Sequence, residues 1–349
     1  MTATTCKNLL LIIVVIAGGT TATAADAIDH IQGEMAGEVT SSSVILQSRL
    51  TGSRIDEEGD VPGSSGMARF EISDTPEFRD SVRTEWIEAE PDYDYIIKSV
   101  VRSLQPNTRY YYRLEFGLDK RQTRIGPTRT FKTHPGPNES EPCRFVVVTG
   151  MNHSCFYDGR GGDKKRAYHG ADKALGYPAL ATIRKLKPDF FVGTGDNVYY
   201  DHPLASRART QAELRRKWHQ QFVQPRFVEL FSQVPTYWEK DDHDHRFNDC
   251  DPHTPVRGIH ETAEDRNNPD LASQPSNELG IRTFWEQVPV VDPREKAPKT
   301  YRTYRVNRDL QIWLVEGRDY RSPNSMPDGP KKNLGQETDG VAQEDAVGE

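Results

Sequence analysis

The chain has 349 residues and a net charge of −7, from 45 Lys+Arg against 52 Asp+Glu. That length accommodates two ordinary domains, and an acidic balance with no basic stripe leaves no nucleic-acid-binding signature. Hydrophobic residues at 35%, charged residues at 28% and 23 prolines exclude a membrane channel and point to a soluble, loop-rich protein.

The first expected element is an export signal over residues 1–25. Lys7 supplies a positive start, Leu9 to Ala17 an apolar run, and Ala22-Thr23-Ala24 a small-residue cleavage pattern. The run is too short to span a bilayer. Cleavage after Ala24 or Ala25 would leave a mature protein with no membrane span, periplasmic or extracellular. A buried helix is the competing reading. Cys6 would leave with the signal, so Cys143, Cys155 and Cys250 remain. An odd number leaves at least one thiol free, intermolecular or metal-bound. Cys143 opens an apolar strand and reads as a small core residue.

Residues 28–134 read as an all-β sandwich. Ser43 to Leu50 begins as an apolar β-rich run, Ala68 to Ile72 alternates at period two, and Tyr93 to Val101 is β-branched and aromatic. After the turn Pro106-Asn107, a strand places Tyr110, Tyr112 and Leu114 on one face. A tyrosine that packs inward at the start of a late strand and ties its hydroxyl to nearby backbone marks the corner of such sandwiches. This segment resembles the matching stretch of fibronectin type III modules, which mostly bind or space, so the chemistry is sought elsewhere. Residues 135–142, rich in proline and polar side chains, read as a linker.

From 143 to 330 strands and helices alternate. Phe145 to Val148 is a continuous apolar run, as expected of a strand buried on both faces. Tyr177 to Leu186 has helical spacing and is stopped by Pro188, and Asp189 to Gly193 is the next strand. Thr210 caps a helix to about Phe222, with Leu214 and Trp218 four apart on one face. Val234 to Trp238 is a strand, Thr254 to Leu279 a polar insertion, and Tyr301 to Val306 and Gln311 to Val315 resume strand character. This βαβ ordering predicts a sheet covered by helices.

Reactive groups in open α/β sheets collect on loops at the carboxyl ends of strands. Three such loops are rich in ligand atoms: 152–155, 195–201 and 241–249. Gly193 and Gly195 allow a tight turn that stands the Asp196 carboxylate at a strand end; an acidic surface turn is the alternative. The Asp241 segment packs three acids and two histidines into five residues. Like charges so close repel unless a cation compensates; a solvated acidic loop is the other reading. Cys155 is either a buried thiol or a thiolate held beside a cation.

Taken in order, Ser154-Cys155, Gly195-Asp196-x-x-Tyr199 and Asp241-Asp242-His243-(x)4-Asn248 resemble the alkaline phosphatase D (PhoD-like) metallophosphoesterases, and Glu316 to Arg321 resembles a further family element. The resemblance runs from about residue 40 to 330. It implies a fibronectin type III-like sandwich followed by an α/β metallophosphatase-like domain, of four-layer αββα type in the family. It also implies a centre of Fe3+ with Ca2+. Cys155 would give thiolate to the iron, Asp196 would bridge the two ions, Tyr199 would give phenolate, and Asn248 would offer its carbonyl to calcium. Such donors suit those ions: thiolate and phenolate for ferric iron, oxygen for calcium. Asp242 and His243 would orient ligands or touch phosphate, and Arg318 and Arg321 would fork onto phosphate oxygens. The implied reaction is hydrolysis of small phosphate mono- or diesters by metal-activated in-line attack on phosphorus.

Two departures accompany the resemblance. The N-terminus lacks the paired arginines that family members often carry, and residues 331–349 form an acidic, disordered-looking tail where the family continues into a second half. A half-built sheet would expose an edge and an apolar face. The alternatives to an active hydrolase are therefore an inactive member that binds metal or phosphate, and an extracellular spacer or adhesion module.

Overall fold

The computed structural model describes residues 27–57, 59–253, 275–295 and 298–322. The expected signal, most of the polar insertion and the acidic tail lie outside the described residues.

The sandwich forms because its strands carry apolar side chains at period two. β1 (Glu34–Gly37), β2 (Ser43–Arg49) and β6 (Ile96–Arg102) make one sheet region. The opposing sheet contains β3 (Gly66–Ser73), β4 (Val82–Arg83), β5 (Ile87–Ala89), β7 (Arg109–Gly117), β8 (Thr123–Ile125) and β9 (Arg129–Lys132). β7 buries Tyr110, Tyr112, Leu114 and Phe116 and turns the residues between them outward. These pack with Val44, Leu46 and Ile97 of the facing sheet. The Tyr110 hydroxyl accepts from the Gln105 backbone N–H at 2.8 Å, which makes the expected corner. Tyr110→Phe would leave that N–H without its partner. We expect it to cost ~1 kcal/mol, measurable as a lower urea midpoint with an unchanged slope.

The second half begins with β10 (Phe145–Val148), followed by α1 (His153–Asp158), α2 (Pro178–Leu186), β11 (Phe190–Thr194), α3 (Gln211–Phe222), α4 (Pro225–Phe231) and β12 (Thr236–Glu239). α5 (Asn277–Gln287) and the hairpin β13 (Arg302–Arg305) with β14 (Gln311–Leu314) complete the described elements. Thr210 caps α3 through a reciprocal capping box with Glu213. The parallel strands β10, β11 and β12 do not end at the sandwich. β12 pairs in parallel with β1, Gly37 opposite Thr236, so one six-stranded sheet runs β10-β11-β12-β1-β2-β6 through both halves. The linker at 135–142 separates stretches of chain without separating two sheets. The junction is reinforced where Lys98 and Gln47 donate to carbonyls at the C-terminal end of α5.

Helices cover one face of this sheet, where Phe191 and Trp238 meet Leu214, Trp218, Phe222 and Phe231. Each of these large side chains contributes roughly 1.5–3 kcal/mol by leaving water. On the other face Phe190, Val192 and Tyr237 pack on Val306 and Leu314 of the hairpin region. Cys143 is half-buried beside that cluster, and burial pushes its thiol up to about 11.

β10 corrects one expectation. The strand has the expected bounds, but it lies at the sheet edge with Phe145 39% and Val147 56% exposed. An apolar run carries no mark of whether both its faces find partners. Three helices were not read from the sequence, α1 falling in the stretch taken as the first ligand-bearing loop. α4 lies inside the stretch between α3 and the next strand, and α5 starts within the segment taken as insertion. No described helix is long and apolar enough to cross a membrane.

Candidate metal centre

The turns after β10, β11 and β12 meet at one end of the sheet, held by backbone as much as by side chains. Gly195 and Asp196 both take positive φ, +88° and +53°, which turns the chain sharply out of β11. The Asp196 carbonyl accepts from Met151 N–H at 2.9 Å, and Thr149 Oγ1 donates to the Gly195 carbonyl at 3.0 Å, joining the first turn to the second. Against the third turn the fit is tighter. A Cβ on Gly195 would stand 2.4 Å from the Asp241 Cβ and 2.7 Å from its backbone nitrogen. Gly195→Ala must therefore push the two acidic turns apart. We expect a loss of about 1–3 kcal/mol in stability from overpacking, with lower metal content at the same protein concentration.

Two buried residues tie the turns together. Gln221 of α3 donates to the carbonyls of Met151 (3.1 Å) and Asn197 (2.9 Å). Asp244, fully buried, accepts from the Asn197 backbone N–H and amide at 3.0 and 2.6 Å and from Asp241 N–H at 2.6 Å. Burial pushes its carboxyl up to about 8, against the pull of the Asn197 and Asp241 N–H groups.

Inside this frame sit the donor atoms. Asp196 Oδ2 accepts from the Tyr199 hydroxyl at 2.8 Å, while Asp196 Oδ1 is buried with no hydrogen-bond partner. Burial pushes the Asp196 carboxyl up to about 6; Tyr199 and His243 oppose the shift, and Asp242 and Asp241 add to it. Burial, followed by the Asp196 hydrogen bond, raises the Tyr199 phenol well above its ordinary value. The His243 ring stacks on Tyr199 with centroids 4.2 Å apart, and its Nδ1 lies 2.7 Å from Asp201 Oδ1. Burial works against protonation of His243, yet Asp201, Asp242 and Asp196 together raise it to about 8. Asp242 also feels burial, but the Asp249 N–H, Arg318 and His243 hold its carboxyl below the usual range. Donor atoms of Asp196, Asp242 and His243 all lie within 4.8 Å of one another, as do those of Asp201, His202 and His243.

Of the eight residues expected from the sequence, Asp196, Tyr199, Asp242 and His243 are thus brought together. Asn248 is exposed; its N–H reaches Asp201 Oδ2 at 3.0 Å and its amide donates to Asp249. Cys155 lies half-buried on α1, in neither donor group among the described residues, and burial raises its thiol above the ordinary value. The Arg318 guanidinium binds the Asp241 carboxylate and donates to the Cys250 carbonyl at 2.9 Å, with Asp242 at 3.8 Å. It therefore holds the third turn together. Arg321 is half-buried at the end of the described residues. Sequence reasoning did not assign Asp201, His202, Asp244 or Gln221. Asp201 and Asp244 stood inside the acidic loops and could have been found there. A glutamine on a helix gives no such signal.

The donor set fits a cation. An unpartnered buried carboxylate oxygen beside a further carboxylate and an imidazole is costly without one, and oxygen donors suit hard ions. Comparison with known proteins gives the family and the fold. A PhoD-like phosphatase N-terminal domain matches residues 18–132, and the PhoD-like phosphatase domain matches residues 167–347, more than half of the chain. This chain belongs to the PhoD-like phosphatase family. Alkaline phosphatase D of Bacillus subtilis (strain 168) is 28% identical over 167 residues, which is 48% of this PhoD-like chain and 24% of that protein. A solved structure of PhoD superposes with a TM-score of 0.65 at 19% identity, covering 88% of this chain and 55% of that one. A purple acid phosphatase from yellow lupin (Lupinus luteus) seeds gives 0.51 at 14% identity, over 86% and 47%. Both likenesses support the fold, and the chain spans about half the length of each solved relative.

Proposed function

We propose that this PhoD-like chain is an exported, metal-dependent hydrolase of phosphate mono- or diesters that uses Fe3+ and Ca2+. The observation that carries this reading is the convergence of Asp196, Asp242 and His243 within 4.8 Å, with Asp196 Oδ1 lacking any partner. Asp196 and Tyr199 would hold the ions, with Cys155 and Asn248 as the further ligands that the family resemblance implies. Bound there, the cations would neutralise phosphate oxygens and activate water for in-line attack on phosphorus.

The chain's own groups do the rest. Asp201 fixes the His243 ring through Nδ1, which would hold the ring in place beside the bound ions and the phosphate. Arg318 keeps Asp241 and Asp242 in register, and Arg321 would be the guanidinium that reaches phosphate, as the family resemblance implies. Export is supported by the signal-like residues 1–25.

A second reading, binding of metal or phosphate without turnover, is favoured by the position of Cys155 outside both donor groups. Metal analysis of the purified chain, run alongside phosphomonoester and phosphodiester assays, separates the two. Bound iron with a visible thiolate- or phenolate-to-metal band plus ester cleavage supports the hydrolase. Metal without turnover supports the binder, and neither metal nor turnover removes both.

A further inference from the structure

A cavity of about 600 Å³ opens directly beside the candidate centre, with Tyr199 and His202 on its inner wall. That volume lies within the range of small-molecule sites, roughly 300–1,000 Å³. Val198, Val223 and the Tyr157 ring give part of it an apolar lining, beside polar side chains. Its outer wall comes from the other half of the chain: Ile55, Glu57 and Gly59, on the sandwich loop after β2.

That loop is fastened to α3. His219 Nδ1 lies 2.6 Å from Asp60 Oδ1, and a Cβ on Gly59 would touch Gln220 at 3.8 Å. The other ring nitrogen of His219 lies 2.6 Å from Asp94 Oδ2, so the imidazole is braced from both sides. The sandwich therefore supplies a fixed wall to a cavity next to the chemistry.

Charge narrows the occupant. Among the described residues on the lining Lys217 is the one ammonium, and its Nζ donates to the His202 carbonyl at 2.7 Å. Glu57 and Asp158 face the same space as carboxylates. With no cationic excess, the lining does not suit a second phosphate. It suits an uncharged organic body with a hydroxyl.

We propose that this cavity is the leaving-group subsite, taking the uncharged aromatic or alkyl alcohol of a phosphoester, and that Ile55, Glu57 and Gly59 of the sandwich loop form a specificity element. The inference rests on the phosphoesterase reading for its chemistry, while the cavity's ligand class can be tested without it.

The binding test uses benzyl alcohol as the probe, followed through the methyl NMR signals of Val198 and Val223 in the full chain. Saturable shifts in the millimolar range are expected, lost in Gln220→Trp, which fills the cavity, and weakened in Ile55→Glu, an exposed position that tolerates charge. Circular dichroism checks that both variants fold. The kinetic test compares 1-naphthyl phosphate with methyl phosphate. Both substitutions should lower the naphthyl-to-methyl ratio of kcat/KM by about tenfold or more. Alcohol binding in a chain that cleaves no ester keeps the site and removes the hydrolase reading. Absence of any alcohol shift at Val198 and Val223, or an unchanged ratio in both variants, overturns the proposal.

Discussion

Asp196→Asn is expected to lower hydrolysis by on the order of 10² or more, with a parallel loss of bound metal. The substitution keeps the shape and a carbonyl oxygen that can still accept from Tyr199, so it removes charge and little else. What it takes away is the carboxylate whose Oδ1 has no partner, in the group formed with Asp242 and His243. The metal-free variant should be no less stable than the parent. Burial already disfavours the Asp196 charge, and Asp242 and Asp241 add repulsion, so neutralising it relieves strain. Metal content by elemental analysis, ester cleavage and thermal midpoint of the metal-free chain therefore make one test. Loss of the first two without loss of the third is the expected pattern. Unchanged metal and unchanged hydrolysis would remove Asp196 from the site.

The second large effect lies where the sandwich meets the helices. Asp94→Ala should cost about 3–5 kcal/mol, because it strands several buried partners at once. Arg49 of β2 reaches Asp94 Oδ1 at 2.9 Å, His219 of α3 reaches Oδ2 at 2.6 Å, and Gln287 of α5 donates to Oδ2 at 2.7 Å. Asp94 is itself 4% exposed, so water cannot replace what is lost. Burial raises its carboxyl pKa, but His219, Arg49 and Gln287 outweigh burial and hold it well below the ordinary range. A depressed carboxylate gives stability that is fully present above its unfolded value, about 3.9 for aspartate. That stability is lost as pH falls from there towards the folded value. Urea midpoints measured between pH 7 and pH 2 should fall on the acid side for the parent, and Asp94→Ala should lack that part of the decline. A loss below about 1 kcal/mol at pH 7 would show that the network does not hold the halves together.

Much of this was legible locally. Thr210 and Glu213 announce the start of α3, and the four-residue spacing of Leu214 and Trp218 names its buried face. Tyr110 signals a sandwich corner because the turn Pro106-Asn107 and the alternating strand after it lie within a few residues. The three ligand-rich turns could be found because each follows its own apolar strand. In each case the deciding residues are neighbours in the chain, so the pattern survives without knowledge of the fold.

The rest depended on what came together from far apart. The sequence by itself determined the family resemblance, the strand-and-turn order and the residue types able to hold a cation. Only the tertiary structure decided that β12 joins β1 in one sheet, that β10 is an edge strand among the described residues, and that Arg318 braces Asp241. It also decided that Asp201 anchors His243 and that Cys155 is a member of neither donor group among the described residues. The physical reason is that periodicity and capping are set by residues a few positions apart. Burial, pairing and pKa are set by whichever groups arrive from elsewhere in the chain, and no local pattern records their arrival.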